Sequence, residues 1–223
     1  MIYIRSFQFI AILGIFILFS ILIYFGVFSS IDNFIFNGIN TLNPTQELLY
    51  FLVVISSFAE VTNLIFVAII FTVIRRTRKM GMILLITIMT LAILVSYMKP
   101  VVAQPKPPES QKIPTLPQGF HLESDTLLTE ARNFSYPSNH TAMITAFAFI
   151  VGTILKQKTK KYYYLIWVLP PMVMISNLIL GLNYVSDLIG GLLIGLVVSI
   201  TTSNILKLEV PFMMNRFKSI SNG

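Results

Sequence analysis

The chain turns from a polar segment into an apolar helix at Tyr136-Pro137-Ser138-Asn139-His140-Thr141-Ala142. Free backbone N–H groups point outward at the N-terminus of a helix, and such an end attracts anions. His140 is one of only two histidines in 223 residues. Its position predicts that it contacts a phosphate group; the alternative is a simple helix cap with an imidazole at the surface.

Composition places the chain in a membrane. Charged residues make up 11% of the sequence and hydrophobic residues 55%, whereas soluble domains carry about a quarter charged residues. Cysteine is absent, which excludes disulfides and thiolate nucleophiles. Two histidines without cysteine also argue against a transition-metal site built by the protein. We therefore expect no metal and no other cofactor.

Apolar segments predict an all-α, polytopic bundle of six membrane helices, because about 20 apolar residues cross a bilayer core of roughly 30 Å. The predicted spans are 7–27, 48–74, 80–98, 138–155, 162–180 and 185–206. The second span is too long for one straight helix. We divide it into an interfacial helix at 48–57 and a membrane helix that begins near Glu60. Residues 31–46 are predicted to lie at the interface, with a short helix as an option.

One long hydrophilic section, residues 99–136, separates the third span from the fourth. It contains six of the eleven prolines of the chain, namely Pro100, Pro105, Pro107, Pro108, Pro114 and Pro117. Proline lacks a backbone N–H and fixes φ, so this composition favours an extended loop over a helix.

Lysine and arginine orient the predicted bundle. Twelve of the 16 basic residues fall on one side, namely Arg5, Arg75, Arg76, Arg78, Lys79, Lys156, Lys158, Lys160, Lys161, Lys207, Arg216 and Lys218. The positive-inside rule assigns that side, with both termini, to the cytoplasm. The proline-rich loop and the 136–142 junction are then extracytoplasmic. The net charge of +7 is thus explained by topology, and nucleic acid is not an expected partner.

Three clusters of polar residues lie at the predicted outer ends of the last four spans. They are Lys99 with Lys106-Pro107, the Pro137-Ser138-Asn139-His140 junction, and Ser176-Asn177 followed by Gly181, Asn183 and Asp187. Their spacing resembles the type 2 phosphatidic acid phosphatase family, which includes lipid phosphate phosphatases and polyprenyl diphosphate phosphatases. The resemblance covers about residues 99–195. The helix layout extends it to a core at about 48–206 within a single membrane domain, 1–223.

The resemblance implies a set of phosphate-binding positions. They are Lys99, Lys106 where the family has arginine, Ser138, Asn139 where it has glycine, Ser176, and Asn177 where it has arginine. Lysine at position 106 keeps the charge but loses the planar fork of arginine. Asn177 removes a hydrogen bond between a cation and an anion, typically worth about 1.5–3 kcal/mol. Lys99 has an alternative role, in which it snorkels from a helix end.

The resemblance also implies three catalytic positions. His140 matches the histidine that protonates the leaving oxygen, and Asp187 matches the carboxylate that orients the nucleophile. Asn183 stands where the family has the histidine that attacks phosphorus. An amide nitrogen has a delocalised lone pair, and loss of a nucleophile can cost on the order of 10⁶-fold in rate. The reaction of the family therefore does not follow from its fold.

Three residues are candidates to replace the missing groups, and each has a plainer alternative. Arg132 precedes Ser138 by six residues and is able to swing into the place of the guanidinium, unless it is a solvated loop charge. His121 is a candidate base or nucleophile, unless it is an ordinary surface residue. Asp187 is able to attack directly or to position water, unless it only caps a helix.

These observations predict a lipid phosphate or polyprenyl diphosphate as ligand, bound at an extracytoplasmic pocket of a cell-membrane protein among membrane lipids. If active, the protein is a metal-independent phosphatase with His140 as general acid. The alternative is a catalytically silent member that binds or moves a phospholipid or supports a membrane partner. An unrelated transporter is expected to show internal repeats, and none is detected in the sequence.

Overall fold

The computed structural model describes residues 3–4, 6–108, 129–158 and 162–208, and within these ranges it is helical and without named strands. The helices are α1 (Phe7–Tyr24), α2 (Ser29–Asn40), α3 (Gln46–Phe58), α4 (Val61–Val73), α5 (Arg78–Val102), α6 (Asn139–Lys158), α7 (Tyr163–Ile166), α8 (Leu169–Ile179) and α9 (Val185–Ile205), with a 3-10 helix at Thr129–Asn133. The all-α prediction is confirmed.

Helices or helix pairs occupy all six of the predicted spans. In the described ranges, α1, α5 and α9 are each long and apolar enough to cross a membrane, and the pair α3–α4 passes the same test when taken as one span. The pair α7–α8 is apolar but shorter, and α6 has polar residues at both ends. Length and composition alone therefore identify three or four spans, and α6 and α7–α8 pack with them in one bundle.

The break in the second span lies where the sequence predicts it. α3 ends at Phe58, α4 begins at Val61 with Glu60 as its N-cap residue, and the two helices meet at a bend of 55°. The carbonyl oxygen of Ser57, in the last turn of α3, accepts from the backbone N–H of Glu60 at 3.1 Å and from the side-chain amide of Asn63 at 2.6 Å. The bend is thus stabilised by the side chain of Asn63, and it also allows the carboxylate of Glu60 to stay in a polar environment.

α5 extends past its predicted end at Met98 into the segment that the prolines assigned to a loop. Pro100 lies inside its last turn, and the helix ends at Val102. The turn closes because the N–H of Ala103 donates to the carbonyl of Lys99, with Ala103 in a left-handed conformation. Lys99 is thereby a helical residue on a buried face. Residues 109–128, the centre of the predicted loop, lie outside the described residues.

The centre of the bundle is α6, which packs most extensively against α9 and also contacts α5 and α8. Glycines on α9 permit this close approach. A Cβ at Gly191 would lie 2.5 Å from the carbonyl oxygen of Ser138, and one at Gly195 would lie 2.6 Å from that of Ala142. The absence of side chains at these two positions fixes the N-terminal end of α6 against α9.

Candidate functional site

The N-termini of α6 and α9 meet at one end of the bundle. Ser138 is the residue before α6, and its backbone N–H donates to the carbonyl oxygen of Asp187 on α9 at 3.0 Å. Its hydroxyl oxygen accepts from the N–H of Thr141 at 3.5 Å and from the hydroxyl of Thr141 at 3.2 Å. Ser138 therefore caps α6 and joins it to the first turn of α9.

A chain of neutral hydrogen bonds crosses this end of the bundle. Ser138 donates its hydroxyl to Oδ1 of Asn183 at 3.0 Å, and Nδ2 of Asn177 donates to the same oxygen at 3.4 Å. On the far side, the hydroxyl of Ser56 on α3 donates to Oδ1 of Asn177 at 2.6 Å. The two asparagines that depart from the family pattern are thus linked directly to each other and to Ser138.

Lys99 and His140 bring a cation and an imidazole into the same region. Both residues are buried, with 6% of Lys99 and 7% of His140 exposed. The ammonium group of Lys99 lies within electrostatic range of both His140 and Asp187. Nε2 of His140 is buried and has no hydrogen-bond partner in the described ranges. A buried ring nitrogen beside a cation is suited to donate to an anion.

Asp187 uses both of its carboxylate oxygens within the fold. Oδ2 accepts from the N–H of Tyr184 at 2.7 Å, and Oδ1 accepts from the hydroxyl of Ser135 at 3.1 Å. The first of these bonds caps α9, as the plainer of the two sequence alternatives expects. No hydrogen bond joins Asp187 to Asn183 among the residues described, so the carboxylate does not orient the residue at the nucleophile position.

The remaining residues predicted for the site have other positions. Ser176 donates its hydroxyl to the carbonyl of Leu52 at 2.5 Å, so it joins α8 to α3 and does not enter the hydrogen-bond chain. Arg132 is exposed on the 3-10 helix and forms no hydrogen bond or ion pair with a site residue in the described part of the chain. Asn139, in the first turn of α6, is buried, and Lys106 is partly buried just after α5. His121 lies outside the described residues.

Sequence reasoning missed a second polar cluster next to this one. Asp32 on α2 is 3% exposed and accepts from the N–H of Ser186 at 3.1 Å, from the hydroxyl of Ser186, and from Nε2 of Gln104 at 3.4 Å. Ser186 directly precedes Asp187. The only available signal is that Asp32 is an acidic residue in a segment without basic ones, which does not identify a partner 154 residues away.

Tyr136 closes the site on the side of α1. Its hydroxyl and that of Ser20 are joined by a 2.8 Å hydrogen bond. Its ring lies over α9 in the space left by Gly190, where a Cβ would come within 2.1 Å of Cε2 of the ring. Burial raises the pKa of Tyr136 to about 12, so the hydroxyl keeps its proton at physiological pH.

Comparisons with known proteins agree with this architecture. A family model described as the PAP2 superfamily matches residues 80–210. The chain is similar to a solved structure described as the first transmembrane PAP2 type phosphatidylglycerolphosphate phosphatase from Bacillus subtilis, with a TM-score of 0.71 and 18% sequence identity over 93% of this chain and 100% of that chain. At this identity the likeness shows the fold alone. No curated protein matches the sequence.

Proposed function

Because the chain belongs to the PAP2 superfamily, we propose that it binds the phosphate of a membrane lipid phosphate or polyprenyl diphosphate without forming a phosphohistidine. Family membership confirms the resemblance inferred from the spacing between Lys99 and Asp187. The protein is a membrane protein with a fold of the lipid phosphatase type. The phosphate ligand, the binding residues and the lack of turnover are our proposal.

The observation that carries the proposal is the environment of Asn183. Its side-chain oxygen accepts from both Ser138 and Asn177. An amide held in this way offers neither a lone pair on nitrogen nor a carboxylate partner, since both oxygens of Asp187 are occupied by Tyr184 and Ser135. The attack on phosphorus that the family makes from this position therefore has no equivalent here.

Binding of phosphate is supported by the groups that remain. Lys99 supplies a buried positive charge, and a hydrogen bond from a cation to an anion is stronger than one between neutral groups. His140 supplies a buried Nε2 that can donate a hydrogen bond. Both lie at the N-terminal end of α6, where the helix dipole favours an anion. A phosphate bound there gains all three interactions at once.

The position of the site relative to the membrane follows from the charges at the two ends of the bundle. Arg75 and Arg76 lie between α4 and α5, and Arg78 and Lys79 are the first two residues of α5, opposite the end of α5 that carries Lys99. By the positive-inside rule this basic end is cytoplasmic, and so are both termini. We therefore place the phosphate site at the extracytoplasmic face, where the headgroup of a lipid in the outer leaflet is accessible.

A second function, slow hydrolysis, is favoured by His140 itself. Its unpartnered Nε2 is suited to protonate a leaving lipid oxygen, as in the general acid step of the family. In that case the bound phosphate stabilises the protonated imidazole of His140, water attacks phosphorus, and the bond between phosphorus and the lipid oxygen breaks. The lipid alcohol takes the proton from His140, and the proton that the water loses returns to His140. Asn183 takes no part in this route.

One experiment separates these functions. Purified protein is assayed without added metal for binding of dioctanoyl phosphatidic acid and farnesyl diphosphate, and for release of inorganic phosphate from each. Binding without release, weakened in Lys99→Ala but not in Arg132→Ala, supports the main proposal. Release that disappears in His140→Ala favours hydrolysis. Binding that is unchanged in Lys99→Ala contradicts the phosphate site.

A further inference from the structure

A cavity of about 160 Å³ lies beside the phosphate site but outside it, where the ends of α1 and α5 meet the start of α2. The lining residues that matter here are Tyr24, Ser29, Asp32, Val102, Ala103 and Gln104. One buried water requires about 10–15 Å³ of such space. The cavity is therefore large enough for an ionic group with its neighbouring carbons.

Hydrogen-bond acceptors and negative partial charges dominate this cavity. α1 ends at Tyr24 and α5 ends at Val102, and the dipole of each helix places about half a negative charge at its C-terminus. Oε1 of Gln104 is buried and has no hydrogen-bond partner in the described part of the chain. A ligand that fills the cavity thus meets acceptors and needs donors.

Asp32 adds a full charge. Its carboxylate is almost completely buried, and its hydrogen-bond donors, Ser186 and Gln104, are all neutral. Among the described residues that line the cavity there is no lysine, arginine or histidine. Asp32 lies in the first turn of α2, whose N-terminus offsets part of the charge. A buried carboxylate without a cationic partner is costly, and a bound cation reduces that cost.

The surroundings of the cavity are apolar. Phe25 and Val27 follow the end of α1, Phe34 is on α2, and Val101 is in the last turn of α5; all four side chains are exposed. Each is within two residues, along the chain, of a residue that lines the cavity. Exposed apolar side chains that flank a polar cavity suit an amphiphile with a cationic headgroup. A purely aqueous cation would gain nothing from the apolar side chains.

We propose that this cavity binds the ammonium group of a lipid headgroup, with the carboxylate of Asp32 and Oε1 of Gln104 as acceptors. The bound ammonium group gives the carboxylate of Asp32 a cationic partner and gives Oε1 of Gln104 a hydrogen-bond donor. The acyl chains extend along the exposed side chains beside the cavity. This site is separate from the phosphate site and does not require turnover or phosphate binding there.

The test uses the purified full chain in a nonionic detergent and measures binding from the shift of the thermal unfolding midpoint. The probe is dihexanoylphosphatidylethanolamine. Dihexanoylphosphatidylglycerol serves as the control lipid, because it carries the same phosphate and chains without an ammonium group. Free ethanolamine, in a third arm, shows whether the ammonium group alone is sufficient. We expect the ethanolamine lipid to bind at least about tenfold more tightly than the glycerol lipid, since charge-assisted hydrogen bonds are the strong ones.

Three single substitutions test whether the ethanolamine lipid binds in this cavity. Ser29→Leu fills the cavity from an exposed position, and Ser30→Leu is the matched control on the same helix, at a residue that does not line the cavity. Ser29→Leu is expected to abolish the preference for the ethanolamine lipid, and Ser30→Leu to keep it. Asp32→Asn keeps the shape of the side chain but removes the charge, so it should weaken binding about tenfold or more. If this variant fails to fold, Ser29→Leu carries the test.

The outcomes are distinct. Equal binding of the two lipids by the unmodified protein overturns the proposal, and so does a preference that survives Ser29→Leu. A stabilisation by free ethanolamine that Ser29→Leu removes supports the cation site and shows that a soluble amine can occupy it. A preference restricted to the lipid supports the site with its apolar surroundings. None of these results changes the outcome expected at Lys99 and His140.

Discussion

The hydroxyl of Ser138 donates a 3.0 Å hydrogen bond to the side-chain oxygen of Asn183. In the family, the residue at position 183 is the nucleophile and the serine donates to the phosphate. Here the two positions satisfy each other in the absence of ligand. We expect a phosphate at this end of α6 to compete with the amide for the same hydroxyl, so that Asn183 lowers the affinity for phosphate.

Restoring the family residues is expected to create a phosphatase. Asn177→Arg with Asn183→His returns a guanidinium for the phosphate and an imidazole that can attack phosphorus, and loss of such a nucleophile costs on the order of 10⁶-fold. Phosphate release from dioctanoyl phosphatidic acid should rise by several orders of magnitude. The measurement is inorganic phosphate released per minute by each purified protein.

Controls make the restoration specific. Asn177→Arg with Asn183→Gln supplies the guanidinium and a larger amide but no nucleophile, and it should stay inactive. Addition of His140→Ala should reduce the restored activity by about 10²–10⁴-fold, the usual contribution of general acid catalysis. A turnover of about 1–10³ per second by the unmodified protein would show that a replacement side chain or an activated water attacks phosphorus.

Ser138→Ala is expected to lower the stability of the protein. It removes the cap of α6, typically worth about 0.5–2 kcal/mol, and leaves Oδ1 of Asn183 with one donor in place of two. Unfolding monitored by intrinsic fluorescence in detergent measures the change. Thr153→Ala is the control, because the hydroxyl of Thr153 bonds only within its own helix, to the carbonyl of Phe149. If both variants unfold alike, the cap at Ser138 contributes nothing.

Gly191→Ala is expected to force α6 and α9 apart, because the added Cβ would lie 2.5 Å from the carbonyl oxygen of Ser138. Overpacking of this kind costs about 1–3 kcal/mol. Loss of phosphate-ligand affinity should accompany the loss of stability, since Ser138 moves with α6. Gly14→Ala on α1 is the matched control, with no atom within 4 Å of the new Cβ. A stable Gly191→Ala variant with unchanged affinity would contradict the tight helix contact.

The membrane orientation can be tested with single cysteines, because the chain has none of its own. Glu130→Cys lies on the exposed 3-10 helix beside the phosphate site, and Arg76→Cys lies in the exposed basic turn after α4. We expect a membrane-impermeant maleimide to label position 130 in intact cells and position 76 only after permeabilisation. The reverse pattern would place the phosphate site in the cytoplasm.

The sequence predicted those features that depend on local composition. Apolar length located the helical segments, and the charge of Glu60 located the break between α3 and α4, because a carboxylate avoids the membrane interior wherever the chain allows it. The proline-rich composition misplaced the end of α5, since one proline in the last turn removes a single N–H and the left-handed Ala103 still closes the helix.

The contacts of the site were less predictable, because they join residues far apart in the chain. The family spacing indicated that Ser138, Asn177 and Asn183 are neighbours, but not that their amides and hydroxyls bond to one another. Ser176 fits the spacing equally well, yet its hydroxyl bonds to the carbonyl of Leu52 on α3. Asp32 had no motif at all. The direction of a hydroxyl depends on which helix packs against it, which local sequence does not specify.

Pro105, after the end of α5, and Phe134, after the 3-10 helix, form an isolated antiparallel β-bridge. This bridge has a practical consequence for engineering the chain. The N–H of Ser135 donates to the carbonyl of Gln104, and the Ser135 hydroxyl donates to the carbonyls of Gln104 and Pro105. Three hydrogen bonds therefore join the stretches before and after residues 109–128. Each doubling of the length of a flexible loop costs only about 0.6 kcal/mol in closure entropy. An epitope or a small reporter domain inserted between Pro108 and Thr129 should therefore leave the bundle folded, and offers a handle for purification without altering either terminus.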